Sequence, residues 1–505
     1  MVHSGSAGVV FAVAVATLAA QDTGRAAAAV PRFEVAPCPF PADDTVLKHV
    51  RCGYLEILEN RAKPDGRRLK LAVAILKSLG PNPRPDPVVV LSGGPGEAFV
   101  GRAPTFIADG SMDVLRGDRD IILYDQRGVA FSEPKFCPEL AEEWAPGGFE
   151  TLAEYRAHQS DMAARCGESM RRAGYDLSQY NTIVSAHDLQ DLRRALGVAS
   201  WHLHGRSYGS RLALIAMRES PEGIRSVVID GPLPPNRSKW FNMPGDFTDV
   251  LKRLSAECAA QPDCKAAYPD IEQMFWRTLE ALERDPFSRQ PARSGNTRAV
   301  RVTPARFAAG VYTALERLQT GVPMLIHGMH ARDENVLTPV IRALTEAQQL
   351  ANAAGSPGMM HTVNCFDEAP LATPELLQQT RKAYAPVLTD EGVFGGRPDG
   401  CDALHPYRAR PDQLVAVKSR IPTLIITGEF DLQTHRSNGP LVAKTLKNSQ
   451  LVDVPGVAHV PSFKYDCTRT MMRDFHNAPM QKVDVSCLKS IPRLRFLTDV
   501  NALGK

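Results

Sequence analysis

The chain carries almost no excess charge. Across 505 residues the formal net charge at pH 7 is +3, which argues against a dedicated nucleic-acid binder and against strong attraction to an anionic membrane surface. It has no Cys-x-x-Cys pair, so no zinc-ribbon or dithiol redox spacing is present. Its longest apolar run, Ala7 to Ala20, is shorter than the roughly 20 residues that span a bilayer. There is no internal repeat, and no low-complexity tract beyond an Ala-rich stretch near the N-terminus.

What is present is the composition of a soluble globular protein. Hydrophobic residues make up 44% and charged residues 23%, both ordinary values. The length suffices for two domains, or for one domain with a large insertion. Residues 1–29 read as an export leader: an apolar run followed by small residues at Ala16, Thr17, Ala19, Ala20 and Ala26 to Ala29 that offer cleavage sites. The first six residues hold His3 but no Lys or Arg, where such leaders normally carry positive charge. The ten cysteines are even in number and dispersed, which suits an oxidising compartment, periplasmic or secreted. Sequence neighbours are spaced to close modest loops, so the expected pairs are Cys38–Cys52, Cys137–Cys166, Cys258–Cys264, Cys365–Cys401 and Cys467–Cys487.

Two strand-like runs, Cys52–Glu59 and Leu69–Leu76, flank a Lys63-Pro64-Asp65-Gly66 turn and suit antiparallel pairing. Short continuous apolar runs follow at Pro87–Leu91, Asp120–Tyr124 and Ser226–Gly231, as expected of strands buried on both faces. Helical patterns at 151–174 and 186–196 separate them. The alternation predicts an α/β fold, a mostly parallel central sheet flanked by helices behind an antiparallel edge. From about Leu233 to Ser419 strong strand signals stop and helical stretches take over. The expected organisation is therefore a core over 30–232, a helical cap over 233–419, and a return of the core over 420–505, beginning with Ile421–Gly428.

The chemistry gathers at three strand ends. Trp201–Gly205 runs into Gly205-Arg206-Ser207-Tyr208-Gly209, and a helix-forming run follows. A strand turning sharply into a helix sets Ser207 Oγ above the sheet. Asp431 follows the strand ending at Gly428, and His459 follows Val454 and a short Gly turn. The order Ser…Asp…His is that of an α/β hydrolase. A serine hydroxyl is a weak nucleophile at neutral pH; an imidazole must take its proton, and a carboxylate must orient the imidazole. Ser207 is thus the expected nucleophile, His459 the general base and then acid, and Asp431 the orienting carboxylate. Oxyanion donors are expected at the Tyr208 N–H and in the Gly93-Gly94 loop. His405 and His435 are weaker candidates for the base, since neither follows a strand and a short Gly turn; Asp453 lies within a strand, and Glu429 is early. His202 and His204 are expected to pack beneath the nucleophile loop, and His327-Gly328-Met329-His330 lacks a third metal ligand.

Gly93-Gly94-Pro95-Gly96, Asp125-Gln126-Arg127-Gly128, Gly205-Arg206-Ser207-Tyr208-Gly209 and Gly428-Glu429-Phe430-Asp431 together resemble the prolyl iminopeptidase and tripeptidyl aminopeptidase branch of the α/β hydrolases. The likeness runs from about Cys52 to Cys467, with a C-terminal part similar to the tripeptidyl-aminopeptidase type; Ser92 stands where the family usually has His. The resemblance implies a cap, no metal or cofactor, and release of residues or short peptides from free peptide N-termini. Such an enzyme needs a carboxylate for the substrate ammonium, and Glu97, Asp367 and Glu368 are the candidates. The same machinery would serve a small ester or lactone, which is the alternative expectation. The expected partners are therefore peptide or small ester substrates, without nucleic acid and without a membrane span after leader removal.

Overall fold

The computed structural model describes residues 1, 31–140, 143, 152–289, 300–352, 355–389, 399–404 and 406–502. The expected leader, Met1 apart, and His405 lie outside the described residues. Among the described residues eleven strands are formed: β1 (Arg32–Val35), β2 (Val50–Leu58), β3 (Arg68–Leu76), β4 (Val88–Leu91), β5 (Ile121–Tyr124), β6 (Trp201–Arg206), β7 (Ile224–Asp230), β8 (Phe287–Arg289), β9 (Val300–Val302), β10 (Thr423–Gly428) and β11 (Ser449–Val454). Nine of them make one sheet in the order β1-β2-β3-β5-β4-β6-β7-β10-β11. Neighbours from β1 to β5 pair antiparallel, and those from β5 to β11 pair parallel. The runs flanking the Lys63–Gly66 turn are β2 and β3, with Leu55 opposite Leu71.

The sequence of β4 explains its central place. Val88-Val89-Val90-Leu91 is apolar on both faces and wholly buried, which only a strand covered by helices on both sides tolerates. Val88 and Val90 join Leu424 and Ile426 in the core on one face. Val89 and Leu91 join Leu203, Ile229 and Ile425 on the other. Helices Thr182–Ala195 and Tyr208–Glu219 cover that second face, and Asp466–Asn477 covers the first. Asn181 caps Thr182–Ala195 by accepting from Val184 N.

Between β7 and β10 the described chain is almost all helix, including Lys239–Ala259, Ile271–Arg284, Pro304–Arg317, Val322–Ala331 and Pro357–Asp367. The first four of these helices share a separate core around Phe247, Phe275 and Phe307, and Phe430 and Leu432, the neighbours of Asp431, are part of it; Met359 and Val363 of Pro357–Asp367 pack instead with Phe136, Cys166 and Tyr208. Two features depart from the sequence reading. β8 and β9 form a two-stranded antiparallel ribbon within the helical stretch, where no strand is expected. β1 extends the antiparallel edge by four residues, too few to give a periodic signal.

All five expected cysteine pairs are formed, and no described cysteine is free. Cys137–Cys166 ties the loop after β5 to helix Leu152–Arg172, and Cys467–Cys487 ties the last helix to the C-terminal segment. Among the described residues, no helix is long and apolar enough to cross a membrane.

Candidate active site

Four parallel strands end at one edge and deliver the candidate residues. Gly93 and Gly94 follow β4, Ser207 follows β6, Asp431 follows β10 and His459 follows β11. Brought together in this way, the loops occupy the carboxyl edge where open α/β sheets gather their ligands.

Ser207 has φ 55° and ψ −121°, a conformation costly for a residue with a side chain. The surroundings enforce it. A Cβ on Gly205 would lie 2.3 Å from Gly209 O, and one on Gly209 would lie 2.2 Å from Leu91 O. Only glycines let the strand, the turn and the helix behind it approach so closely. Ser207 N donates to Asp230 O (2.9 Å), and Ser210 Oγ donates to the carbonyls of Ser207 and Gly231. Helix Tyr208–Glu219 starts immediately after Ser207, so its first N–H groups point toward the turn.

The imidazole and carboxylate meet as the sequence order requires. His459 Nδ1 lies 2.9 Å from Asp431 Oδ2 and 3.0 Å from Oδ1. Asp431 is wholly buried and also accepts from Thr434 N (2.9 Å) and Thr434 Oγ1 (2.8 Å). Burial alone would raise its pKa; the facing His459 and the hydrogen bonds from His459 and Thr434 outweigh burial and hold the carboxylate below its ordinary range. Gly231, at φ 69°, lies beside the pair: a Cβ there would be 2.6 Å from Thr434 Oγ1 and 3.3 Å from His459 Cε1.

The Gly93 loop lies against the nucleophile, since a Cβ on Gly93 would be 3.1 Å from Ser207 Cβ. Here one expectation needs correction. The Gly93 N–H is not free to receive an oxyanion, because it donates to Glu97 Oε2 at 3.1 Å. Glu97 Oε1 in turn accepts from Arg102 Nη1 at 3.1 Å. The remaining donors of the expected set are the N–H groups of Gly94 and Tyr208.

Asp367 and Glu368 also differ from expectation. Both are buried and turned toward the helix behind the nucleophile, where Arg211 supplies the opposite charge. Arg211 Nη2 is 2.5 Å from Glu368 Oε1, and Arg211 Nη1 is 3.9 Å from Asp367 Oδ2. Glu368 Oε2 accepts from Lys239 N at 3.0 Å. Thr182 Oγ1 donates to Asp367 and lies 2.8 Å from Tyr208 Oη. Burial pushes the Asp367 carboxyl up to about 6, with Arg211 and the Thr182 hydrogen bond acting against it. Of the three acidic candidates, only Glu97 stands beside Ser207.

The rival residues have other partners. His202 meets Ser226 Oγ and Asp86, and His204 meets Ser462 Oγ. His435 sits between Asp246 and Asp249 of helix Lys239–Ala259. His330 Nδ1 contacts Thr278 Oγ1, and His327 packs on Tyr268. Among the described residues, His361, Cys365 and Cys401 come together at metal-ligand range. Cys365 and Cys401 are a disulfide, and metal coordination requires thiolates.

Sequence reasoning missed Thr434, Asp230 and Ser462. Thr434, three residues beyond Asp431, had a local signal in the Asp-x-x-Thr spacing. Asp230 Oδ2 accepts from Ser462 N at 3.2 Å, a contact across 232 positions with no local signature.

The model of the α/β hydrolase fold family matches residues 86–256. The chain is 24% identical over 445 residues to serine protease Hip1 of Mycobacterium tuberculosis, covering 82% of each. It is 29% identical over 211 residues to tripeptidyl aminopeptidase of Streptomyces lividans, covering 40% of this chain and 38% of that one. It is 24% identical over 453 residues to carboxylesterase B of Mycobacterium tuberculosis, covering 84% of this chain and 83% of the relative. Strand order, nucleophile turn and sequence match together show an α/β-hydrolase fold, and the chain is similar to serine peptidases.

Proposed function

We propose that the chain is an exported serine hydrolase that releases residues or short peptides from free peptide N-termini through an acyl-enzyme. The observation that carries the catalytic reading is the His459–Asp431 pair at the same sheet edge as the strained Ser207 turn. In the proposed cycle His459 Nε2 takes the Ser207 proton as Oγ attacks the scissile carbonyl. Asp431 fixes the Nδ1–H tautomer and stabilises the imidazolium. The Gly94 and Tyr208 N–H groups receive the developing oxyanion. His459 then protonates the leaving amine, and water repeats the sequence to free the acyl group. Disposal of the substrate ammonium falls to Glu97, the acidic candidate adjoining Ser207 through Gly93. Two relatives named as a serine protease and a tripeptidyl aminopeptidase support a peptide substrate. The five disulfides support export, and the proposed domain division is a core interrupted by a helical cap over 233–419.

One observation favours a second reading. Glu97 is already neutralised by Arg102 and the Gly93 N–H, which weakens its hold on an ammonium. The same machinery would then act on an uncharged ester, in line with a relative named carboxylesterase B. Steady-state hydrolysis of free and N-acetylated aminoacyl, dipeptidyl and tripeptidyl anilides, beside short-chain nitrophenyl esters, separates the two. Turnover of free-amine anilides but not acetylated ones supports the aminopeptidase; turnover of esters alone removes it. Ser207→Ala is the control, and should lose roughly three or more orders of magnitude on any true substrate.

A further inference from the structure

Arg206 lies between Gly205 and Ser207 and has no part in the chemistry above, yet its guanidinium bridges two loops that do. Its Cζ is 5.3 Å from the Phe99 ring centroid and 5.4 Å from that of Phe463. Phe99 belongs to the loop that starts at Gly93, and Phe463 follows His459 by four residues. One cation thus touches the loop that carries an oxyanion donor and the loop that carries the base.

Each side is also fixed at the backbone. Asp125 accepts from Phe99 N (2.8 Å) and Val100 N (3.0 Å). Asp230 accepts from Ser462 N, and Ser462 Oγ lies 3.2 Å from His204 Nε2. Arg206 Nε is buried and has no hydrogen-bond partner among the described residues. The carboxylates whose charge acts on the guanidinium are Glu97 on the Gly93 side and Asp230 on the His459 side. Ring faces and flanking charge therefore hold this side chain.

We propose that Arg206 is a positioning residue whose guanidinium clamps the Gly93–Phe99 loop and the His459–Phe463 loop to the nucleophile strand. The clamp keeps the Gly94 N–H and the His459 ring in register with Ser207, and it rests on the serine-hydrolase reading above. The residue type matters. A planar cation has two faces and stacks on two rings at once; an ammonium keeps the charge without the faces. Arg206 touches no substrate in this scheme, so its loss should displace groups that act in the transition state and leave ground-state binding in place.

The test compares wild type, Ser207→Ala, Arg206→Lys and Arg206→Met on the best substrate of the panel, together with thermal unfolding and affinity for a boronic acid that forms a tetrahedral adduct with Ser207. Arg206→Met is expected to lower kcat about 10- to 100-fold, as misplaced catalytic groups do. KM should stay within about twofold, because uniform binding is untouched. Boronate affinity should fall in parallel with kcat, and Arg206→Lys should lie between. Should Arg206→Met fail to fold, Phe463→Leu removes one stacking face and should give the same kcat loss at constant KM. Wild-type kcat and boronate affinity in a folded Arg206→Met or Phe463→Leu protein overturn the clamp, even if its unfolding midpoint drops. If Ser207→Ala is inactive while those variants match wild type, the clamp alone fails. If Ser207→Ala keeps turnover, the hydrolase reading fails and takes the clamp with it.

Discussion

Arg211 and Glu368 form an ion pair at 2.5 Å with side chains only 3% and 2% exposed. Arg211 comes from the helix that follows Ser207, and Glu368 from the end of helix Pro357–Asp367. The pair fastens the helical segment to the core directly behind the nucleophile helix. Removing one member of such a pair strands the other charge, at a cost of about 3–5 kcal/mol. Asp367, 3.9 Å from Arg211, should soften the loss. Glu368→Ala is therefore expected to lower the denaturation midpoint strongly, without raising KM for free-amine substrates more than for acetylated ones. A selective KM rise in a folded variant would return Glu368 to the role of ammonium anchor.

Strain at Ser207 gives a prediction in the opposite direction. Its φ of 55° suits glycine, and relieving such strain is worth about 1–3 kcal/mol. Ser207→Gly should abolish turnover and raise the unfolding midpoint above that of Ser207→Ala, which removes the hydroxyl and keeps the Cβ. Equal midpoints for the two variants would mean that the turn stores no energy.

Asp431→Asn should leave the fold in place and lower kcat by about four orders of magnitude, the size expected when the imidazole loses its orienting carboxylate. Gly231→Ala tests the same pair from outside. The new Cβ would lie 2.6 Å from Thr434 Oγ1 and 3.3 Å from His459 Cε1, in a left-handed backbone that disfavours alanine. Activity should fall by more than the loss of folded protein accounts for, as read by active-site titration with a fluorophosphonate. An unchanged specific activity per labelled site would show that the Asp431–Thr434–His459 group can shift without consequence.

How far the sequence alone reached follows from the range of each interaction. β4 and β10 were legible because strands buried on both faces must be continuously apolar, and Val88–Leu91 and Leu424–Ile426 are. Asp431 was legible because it follows such a strand, Ser207 because its strand runs into Gly205-Arg206-Ser207-Tyr208-Gly209, and His459 because a short Gly turn leads to it after Val454. The five disulfides join sequence neighbours, so spacing sufficed. The acidic candidates went differently because their partners are distant: Asp367 meets Thr182 across 185 positions, and nothing near Cys365 announces Arg211. Glu97 is a contrary case. Its bond to Gly93 N spans four residues, and a carboxylate just after a Gly-Gly turn could have been read as a cap on that turn. The β8–β9 ribbon is three residues on each side, too short for alternation to rise above a helical background.

The response of stability to pH should be set by buried histidines against buried carboxyls. Burial holds His202 and His361 down to about 4 from an ordinary 6.5, and lowers His204 and His476 as well. The unfolded chain takes up protons on these rings first, so their contribution is intact above about pH 6.5 and is lost as pH falls toward 4. Burial pushes Asp125 and Asp367 up to about 6 from 3.8. There the folded state binds protons first, so stability rises as pH falls through that same window. Burial raises the Asp191, Asp246 and Asp453 carboxyls too, and a ring shifted as far as His202 is worth about 3 kcal/mol at full effect. The histidine part of this response is a fall in the unfolding midpoint between about pH 6.5 and 4. His202→Gln removes one titrating ring and should flatten that fall while lowering stability at neutral pH, where the bonds to Asp86 and Ser226 are disturbed. A variant whose midpoint falls as steeply as wild type would show that His202 does not carry the acid sensitivity.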